Sequence, residues 1–147
     1  MKTSELTGAL LDYWVARADG AGTDTAKMKD GDAWCSIEMV PNAMKPFPAC
    51  ILGNKVGRGK HPYRSQWFYP STVWAHGGPI IEREKIAIDP LTRRREQHDW
   101  QAQIWQPYAC ATAAAPLVAA MRAYVASKFG DEVSDEPAGA DTSKESK

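Results

Sequence analysis

The stretch from Pro116 to Gly130 constrains the fold more than any other in this sequence. Proline at the first position of a helix gives up only an N–H that has no partner there, and glycine just past the end accepts the left-handed turn that stops it. Between the two, Leu117, Val118, Met121, Tyr124, Val125 and Phe129 recur at helical spacing and predict one apolar side. A helix of this kind has to be covered, so the rest of the chain must supply a covering surface. A second helix is predicted near the start: Thr7 stands as its cap, Leu10, Leu11, Trp14, Val15 and Ala18 form its face, and Gly20 ends it.

Between these helices the pattern is less regular. Residues 20–32 are polar and glycine-containing and read as a mobile loop. Residues 33–40 read as a short strand with imperfect alternation, after which Pro41, Pro46 and Pro48 interrupt regular structure. Gly53 to Pro70 reads as one long irregular connection, of a length that small domains keep mainly for function. A short helix is predicted to begin at Pro79 after the Gly77-Gly78 pair. A hairpin follows, with Ile86 and Ile88 on one strand, Trp100, Ala102 and Ile104 on the other, and a charged connection from Asp89 to Asp99. The 147 residues have room for one domain. The expected class is α+β: a single small domain over residues 1–133, two main helices packed on a small, largely antiparallel sheet with long irregular loops.

Charge and cysteine narrow the function classes. Eighteen basic and eighteen acidic side chains cancel, which argues against a general nucleic-acid coat. The cancellation is uneven: beyond residue 130, six acids face Lys144 and Lys147, leaving the first 130 residues with 16 basic and 12 acidic groups. Residues 134–147 hold no large apolar side chain and read as a disordered acidic tail. The mildly basic body suits an anionic ligand. Cys35, Cys50 and Cys110 are odd in number and widely spaced, as reduced thiols of a cytoplasmic protein would be. No apolar run reaches the roughly 18 residues of a membrane span, and Met1-Lys2-Thr3-Ser4-Glu5 does not open a signal peptide. His61, His76 and His98 lack metal-ligand spacing, and no nucleophile elbow is present, so neither metal, cofactor nor catalytic residue is expected.

The candidate site lies in the middle of the chain. From Lys55 to Trp74, basic residues (Arg58, Lys60, His61, Arg64) interleave with Tyr63, Trp67, Phe68, Tyr69 and Trp74. Flat rings stack on bases and guanidinium forks hold phosphate. Gly77 and Gly78 before a helix start would let a ligand approach free N–H groups. Arg122, next to the buried-looking Met121, reads either as reaching a cleft from the last helix or as a solvated charge, and Arg93-Arg94-Arg95 as a solubilising hairpin tip or a nucleic-acid contact.

Three segments together resemble the phage NinX family: Lys2-Thr3-Ser4-Glu5-Leu6-Thr7-Gly8-Ala9-Leu10-Leu11-Asp12-Tyr13-Trp14-Val15-Ala16, then Pro70-Ser71-Thr72-Val73-Trp74-Ala75-His76-Gly77-Gly78-Pro79-Ile80-Ile81-Glu82-Arg83-Glu84, then Pro116 through Val133. The resemblance implies a small accessory protein of tailed phages and prophages, and it brings no reaction with it. Two positions depart from the family pattern. Val73 stands where Asp is frequent, which weakens any scheme using that Asp as a catalytic acid. Ala115 stands where Thr or Ser commonly precedes the helix proline.

The functional expectation is therefore a non-catalytic binder of a nucleotide-like anionic small molecule, sequestering a host immune signal in the infected cell's cytoplasm. Its expected ligand set is Trp14, Arg64, Tyr69, Ser71, Thr72, Trp74, Gly77, Gly78 and Arg122. The alternatives are an adaptor for nucleic acid or a host protein, and an enzyme that degrades a nucleotide signal. Pairing of two copies, most simply twofold, is one way to cover some of the six tryptophans.

Overall fold

A computed structural model describes residues 1–41, 44–55, 63–91 and 99–135 of the chain. Three helices, α1 (Gly8–Ala18), α2 (Trp74–Glu84) and α3 (Pro116–Phe129), accompany two separate antiparallel sheets. The first sheet runs in the order β1 (Ala33–Met39), β2 (Pro48–Lys55), β3 (Tyr63–Trp67); the second runs β4 (Ala87–Leu91), β5 (Asp99–Trp105), β6 (Tyr108–Ala113). The class is α+β, as expected, but one sheet has become two.

Helix α1 packs on β1 and β2, α3 packs on β5 and β6, and the two helices pack on each other. They form a middle layer with a sheet on either side. This explains why α3 departs from the predicted single apolar side: Leu117, Ala119, Ala120, Met121, Ala123, Tyr124 and Val125 are all buried, an arc that goes most of the way round. The same holds for α1, where Leu11, Asp12, Tyr13, Val15 and Ala16 are buried in near succession. Small residues allow the layers to come close. The inward face of β6 is Ala109, Ala111 and Ala113, and it meets a helix whose own buried positions include three alanines. A single cluster then joins Leu6, Leu11, Tyr13, Cys35, Cys50, Phe68, Ile80, Ile104, Met121 and Tyr124. Complete burial of each large side chain contributes about 1.5–3 kcal/mol.

The helix stops follow the sequence: Gly20 and Gly130 both take positive φ, at +100° and +84°. The Thr7 cap does not form, because its hydroxyl makes no cap hydrogen bond although its backbone is extended. The hairpin forms, with Ile88 opposite Ala102, but its bounds are corrected: Ile86 precedes β4, and Asp89, Pro90 and Leu91 pair with Gln101, Trp100 and Asp99 instead of belonging to the connection. The segment from Gly53 to Pro70 is corrected. It contains the end of β2 and all of β3, paired from Ile51 with Trp67 to Lys55 with Tyr63. Pro48 opens β2 rather than breaking a strand, since its missing N–H falls at the end of the pairing with Met39. Residues 20–32 are tied down at several points: Gly31 N–H donates to the Lys55 carbonyl (2.7 Å), and Lys55 Nζ donates to the Met28 carbonyl (2.8 Å).

Helix α2 begins five residues before the predicted start. Trp74 is its first residue, and Pro79 lies inside it. A proline there forfeits one hydrogen bond and crowds the residue before it; that residue is Gly78, which has no Cβ to be crowded. Gly77 has a different task. A Cβ built on it would overlap the Pro70 carbonyl oxygen and stand 2.7 Å from Leu117 Cδ2. The absence of a side chain is what lets α2 lie against the 69–73 turn and the first turn of α3.

The glycines predict opposite outcomes. Gly77→Ala has to push the helix away from Pro70 and should cost about 2 kcal/mol or more in urea unfolding. Gly78→Ala meets no other atom within 4 Å beyond its chain neighbours and should stay within about 1 kcal/mol of the parent. Equal losses at both positions would show that the contact does not constrain the packing.

Candidate functional site

The turn from Tyr69 to Val73 joins β3 to α2, and the first turns of all three helices meet around it. From α1, Asp12 Oδ1 accepts the Ser71 N–H at 2.9 Å. Asp12 and Ser71 are 3% and 2% exposed, so this hydrogen bond is buried. From α3, Leu117 touches Gly77 behind the turn. Two clefts open on either side, and Thr72 lines both.

One cleft, about 250 Å³, is lined by Ser71, Thr72 and Trp74 together with Ala115, Pro116, Leu117 and Val118. Its walls are mostly apolar, yet its polar groups lack partners. Among the described residues, the backbone N–H groups of Trp74, Ala75, Leu117 and Val118 make no hydrogen bond. Neither helix is capped by a side chain, because the N-cap residues are Val73 and Ala115. Ser71 Oγ is buried at the back of this cleft, beside the Asp12 carboxyl. Unpaired N–H groups and the aligned dipoles of two helix starts favour negative charge. The Trp74 ring, 55% exposed, stands as a flat wall at the rim.

The second cleft, about 230 Å³, is lined by Gly8, Ala9, Asp12, Phe47, Pro48, Ala49, Tyr69 and Thr72. Burial pushes the Asp12 carboxyl up to about 6, and the hydrogen bonds from Ser71 only partly offset this. Tyr69 is held by its own backbone, whose N–H donates to His76 Nδ1 at 2.9 Å, and its ring stacks parallel to the imidazole.

The remaining expected site residues fall elsewhere. Gly77 and Gly78 lie inside α2, and the Gly77 N–H donates to the Val73 carbonyl at 3.0 Å, so neither glycine offers a free helix-start amide. Arg122 does not line the Trp74 cleft. Its Nε and Nη1 donate to the carbonyls of Leu6 and Thr112 (2.8 and 2.9 Å), fastening the first residues of the chain to β6. It borders a separate cleft of about 370 Å³, which also holds Cys110, Asp131 and Glu132. Trp14 packs edge-on against Phe129 and donates from Nε1 to the Ser134 carbonyl. Arg64 pairs opposite Asn54 on β3. Arg58, Lys60, His61, Arg93, Arg94, Arg95, His98 and most of the acidic tail lie outside the described residues. The cysteines form no disulfide; Cys35 and Cys50 are buried and Cys110 is exposed.

Asp12, Leu117 and Val118 are the residues that sequence reasoning missed. Asp12 carried a signal: with Leu11, Val15 and Ala16 it forms one helical stripe, an acid within an apolar face.

The three segments that carry the family pattern are therefore the ones that meet here: the start of α1, the turn with α2, and α3. A family model for bacteriophage P22 NinX matches residues 2–128. The chain belongs to the NinX family. The match covers α1, α2, both sheets and nearly all of α3, and NinX is a phage protein family, so the chain is a phage-type accessory protein. No curated protein matches it. Among the described residues of this NinX chain, no helix is long and apolar enough to cross a membrane, and no cluster of three or more His, Cys, Asp or Glu is arranged to hold a metal.

The Asp12 carboxyl gives a pH signature. Its folded value, about 6, lies above the ordinary 3.8, so the folded state binds more protons between those values. Its contribution is therefore most favourable at low pH and is lost as pH rises through about 6. Asp12→Asn keeps the acceptor for the Ser71 N–H and removes the charge. Its unfolding free energy in urea should exceed the parent's above about pH 6.5, by up to about 3 kcal/mol, and approach it near pH 4. A constant difference across that range would rule out a buried charge.

Proposed function

We propose that this NinX-family chain is a non-catalytic binder of a nucleotide-like anionic small molecule, and that it acts for the phage by sequestering a host immune signal. The observation that carries the reading is the pair of uncapped helix starts: the backbone N–H groups of Trp74, Leu117 and Val118 stand without partners, among the described residues, beside one cleft at the beginnings of α2 and α3. Buried polar groups are ordinarily satisfied, and an anion with several acceptor oxygens satisfies all of these together. Mostly apolar walls with a few convergent polar groups are the usual make-up of a small-molecule site. The exposed Trp74 ring supports a flat group beside the anion. In this reading the anion sits on backbone N–H groups of Trp74, Leu117 and Val118, not on Gly77, Gly78 or Arg122. Binding rather than turnover is favoured because, among the described residues, Ser71 has a carboxyl neighbour but no imidazole positioned as its base: His76 Nδ1 accepts the Tyr69 N–H.

The test uses adenosine 5′-monophosphate and inorganic phosphate as probes at low salt. Both should shift the amide resonances of Trp74, Leu117 and Val118, and the nucleotide should be recovered intact. Val73→Asp supplies the missing cap to α2 and a negative charge at the cleft. It should stabilise the fold by about 1 kcal/mol while weakening the anion at least about tenfold. Absence of phosphate-dependent shifts in the parent would overturn the reading, and release of a cleaved nucleotide would replace a binder with an enzyme.

A further inference from the structure

We infer that the cleft at Asp12 is the second half of the same site, and that it takes the edge of a guanine-type ring, one presenting adjacent N–H donors. This rests on the anion reading above and extends it to the rest of the ligand. The geometry begins with Thr72, which lines both clefts, and with Ser71, which faces the anion cleft while its N–H reaches Asp12 on the other side. A ligand whose anion lies at the starts of α2 and α3 therefore has only the width of one residue to cross before it meets the Asp12 cleft.

The lining there fits a ring. Tyr69 and Phe47 are aromatic, Pro48 and Ala49 are apolar, and Gly8 and Ala9 present a wall without large side chains. The volume of about 230 Å³ would hold several waters at about 30 Å³ each, enough for one ring system. Within this mostly apolar pocket the Asp12 carboxyl is the charged group. One of its oxygens accepts the Ser71 N–H and the Ser71 side chain lies beside the carboxyl, which with about four lone-pair sites still has capacity for further donors. An ionised carboxylate only accepts, so the ring edge that suits it offers donors side by side and no acceptor between them. The N1–H and exocyclic amine of guanine do so; an adenine edge sets an acceptor beside its amine, and xanthine replaces the amine with a carbonyl. Burial makes the unliganded charge costly, as its raised pKa reflects, and paired N–H donors would relieve that cost.

The experiment compares guanosine 5′-monophosphate, xanthosine 5′-monophosphate and inorganic phosphate by calorimetry and amide-resolved NMR on the full chain. The expected result is at least tenfold tighter binding of the guanosine nucleotide than of the xanthosine one. The guanosine nucleotide should shift Gly8 and Ala9 as well as Trp74, Leu117 and Val118, whereas phosphate shifts Trp74, Leu117 and Val118 but not Gly8 or Ala9. Asp12→Asn should erase or reverse the preference while leaving the phosphate shifts in place. If phosphate binds as proposed but the parent treats the two nucleotides alike, or Gly8 and Ala9 never respond, the two-part site is wrong and the anion reading stands. If phosphate itself leaves Leu117 and Val118 unmoved, both fall. The parent measurements alone decide the matter should the variant fold poorly.

Discussion

A buried carboxylate accepting one backbone N–H holds the centre of this molecule. Asp12 sits in the apolar arc of α1, where an unpaired charge would be destabilising, and its bond to the Ser71 N–H fixes the turn that launches α2. Once the turn is fixed, Pro70 presents its carbonyl where Gly77 must pass, and Leu117 closes the other side. Three helix starts are brought to one place by contacts that depend on each other. The polar groups left over at that place, rather than a conspicuous sequence motif, form the candidate site.

The layering explains how so small a chain achieves such burial. Helices between two sheets lose their solvent face, so alanine becomes the residue of choice where layers approach. The inward side of β6 and the buried arc of α3 both use it. The arrangement still needs polar fastening at its edges. At one edge, Arg83 and Tyr124 both donate to Asp19 Oδ1, at 2.6 and 2.5 Å, which joins the end of α1 to α2 and α3. At another, Arg122 spans the Leu6 and Thr112 carbonyls. Arginine serves here because its fork meets two acceptors at once.

Much of this was legible in the sequence, and the failures have physical causes. Helices α1 and α3, their glycine stops and the β4–β5 hairpin follow from periodicity and punctuation. Strands β2 and β3 were hidden because a run of prolines, glycines and charges resembles a loop; the pairing of Leu52 with Cys35 and Gln66 is a tertiary fact. The start of α2 was misplaced because proline was weighed as a first-turn residue, while the glycine before it makes an interior position tolerable. Of the expected ligand set, Ser71, Thr72 and Trp74 share one cleft and Tyr69 joins Asp12 in the next. Arg122 pointed elsewhere because spacing along a helix says which way a side chain leaves, and nothing about what it meets.

Lys2 pairs with Glu132 beside the end of α3, and the Met1 and Val133 backbones hydrogen-bond to each other. That contact imposes an order on synthesis. The segment before α1 cannot complete its pairing until residues beyond Phe129 have left the ribosome, by which time both sheets and the middle layer are already available. Closure of the fold at this seam is thus a late event in the life of each molecule, and the side of α1 that packs on α3 stays uncovered until α3 has emerged.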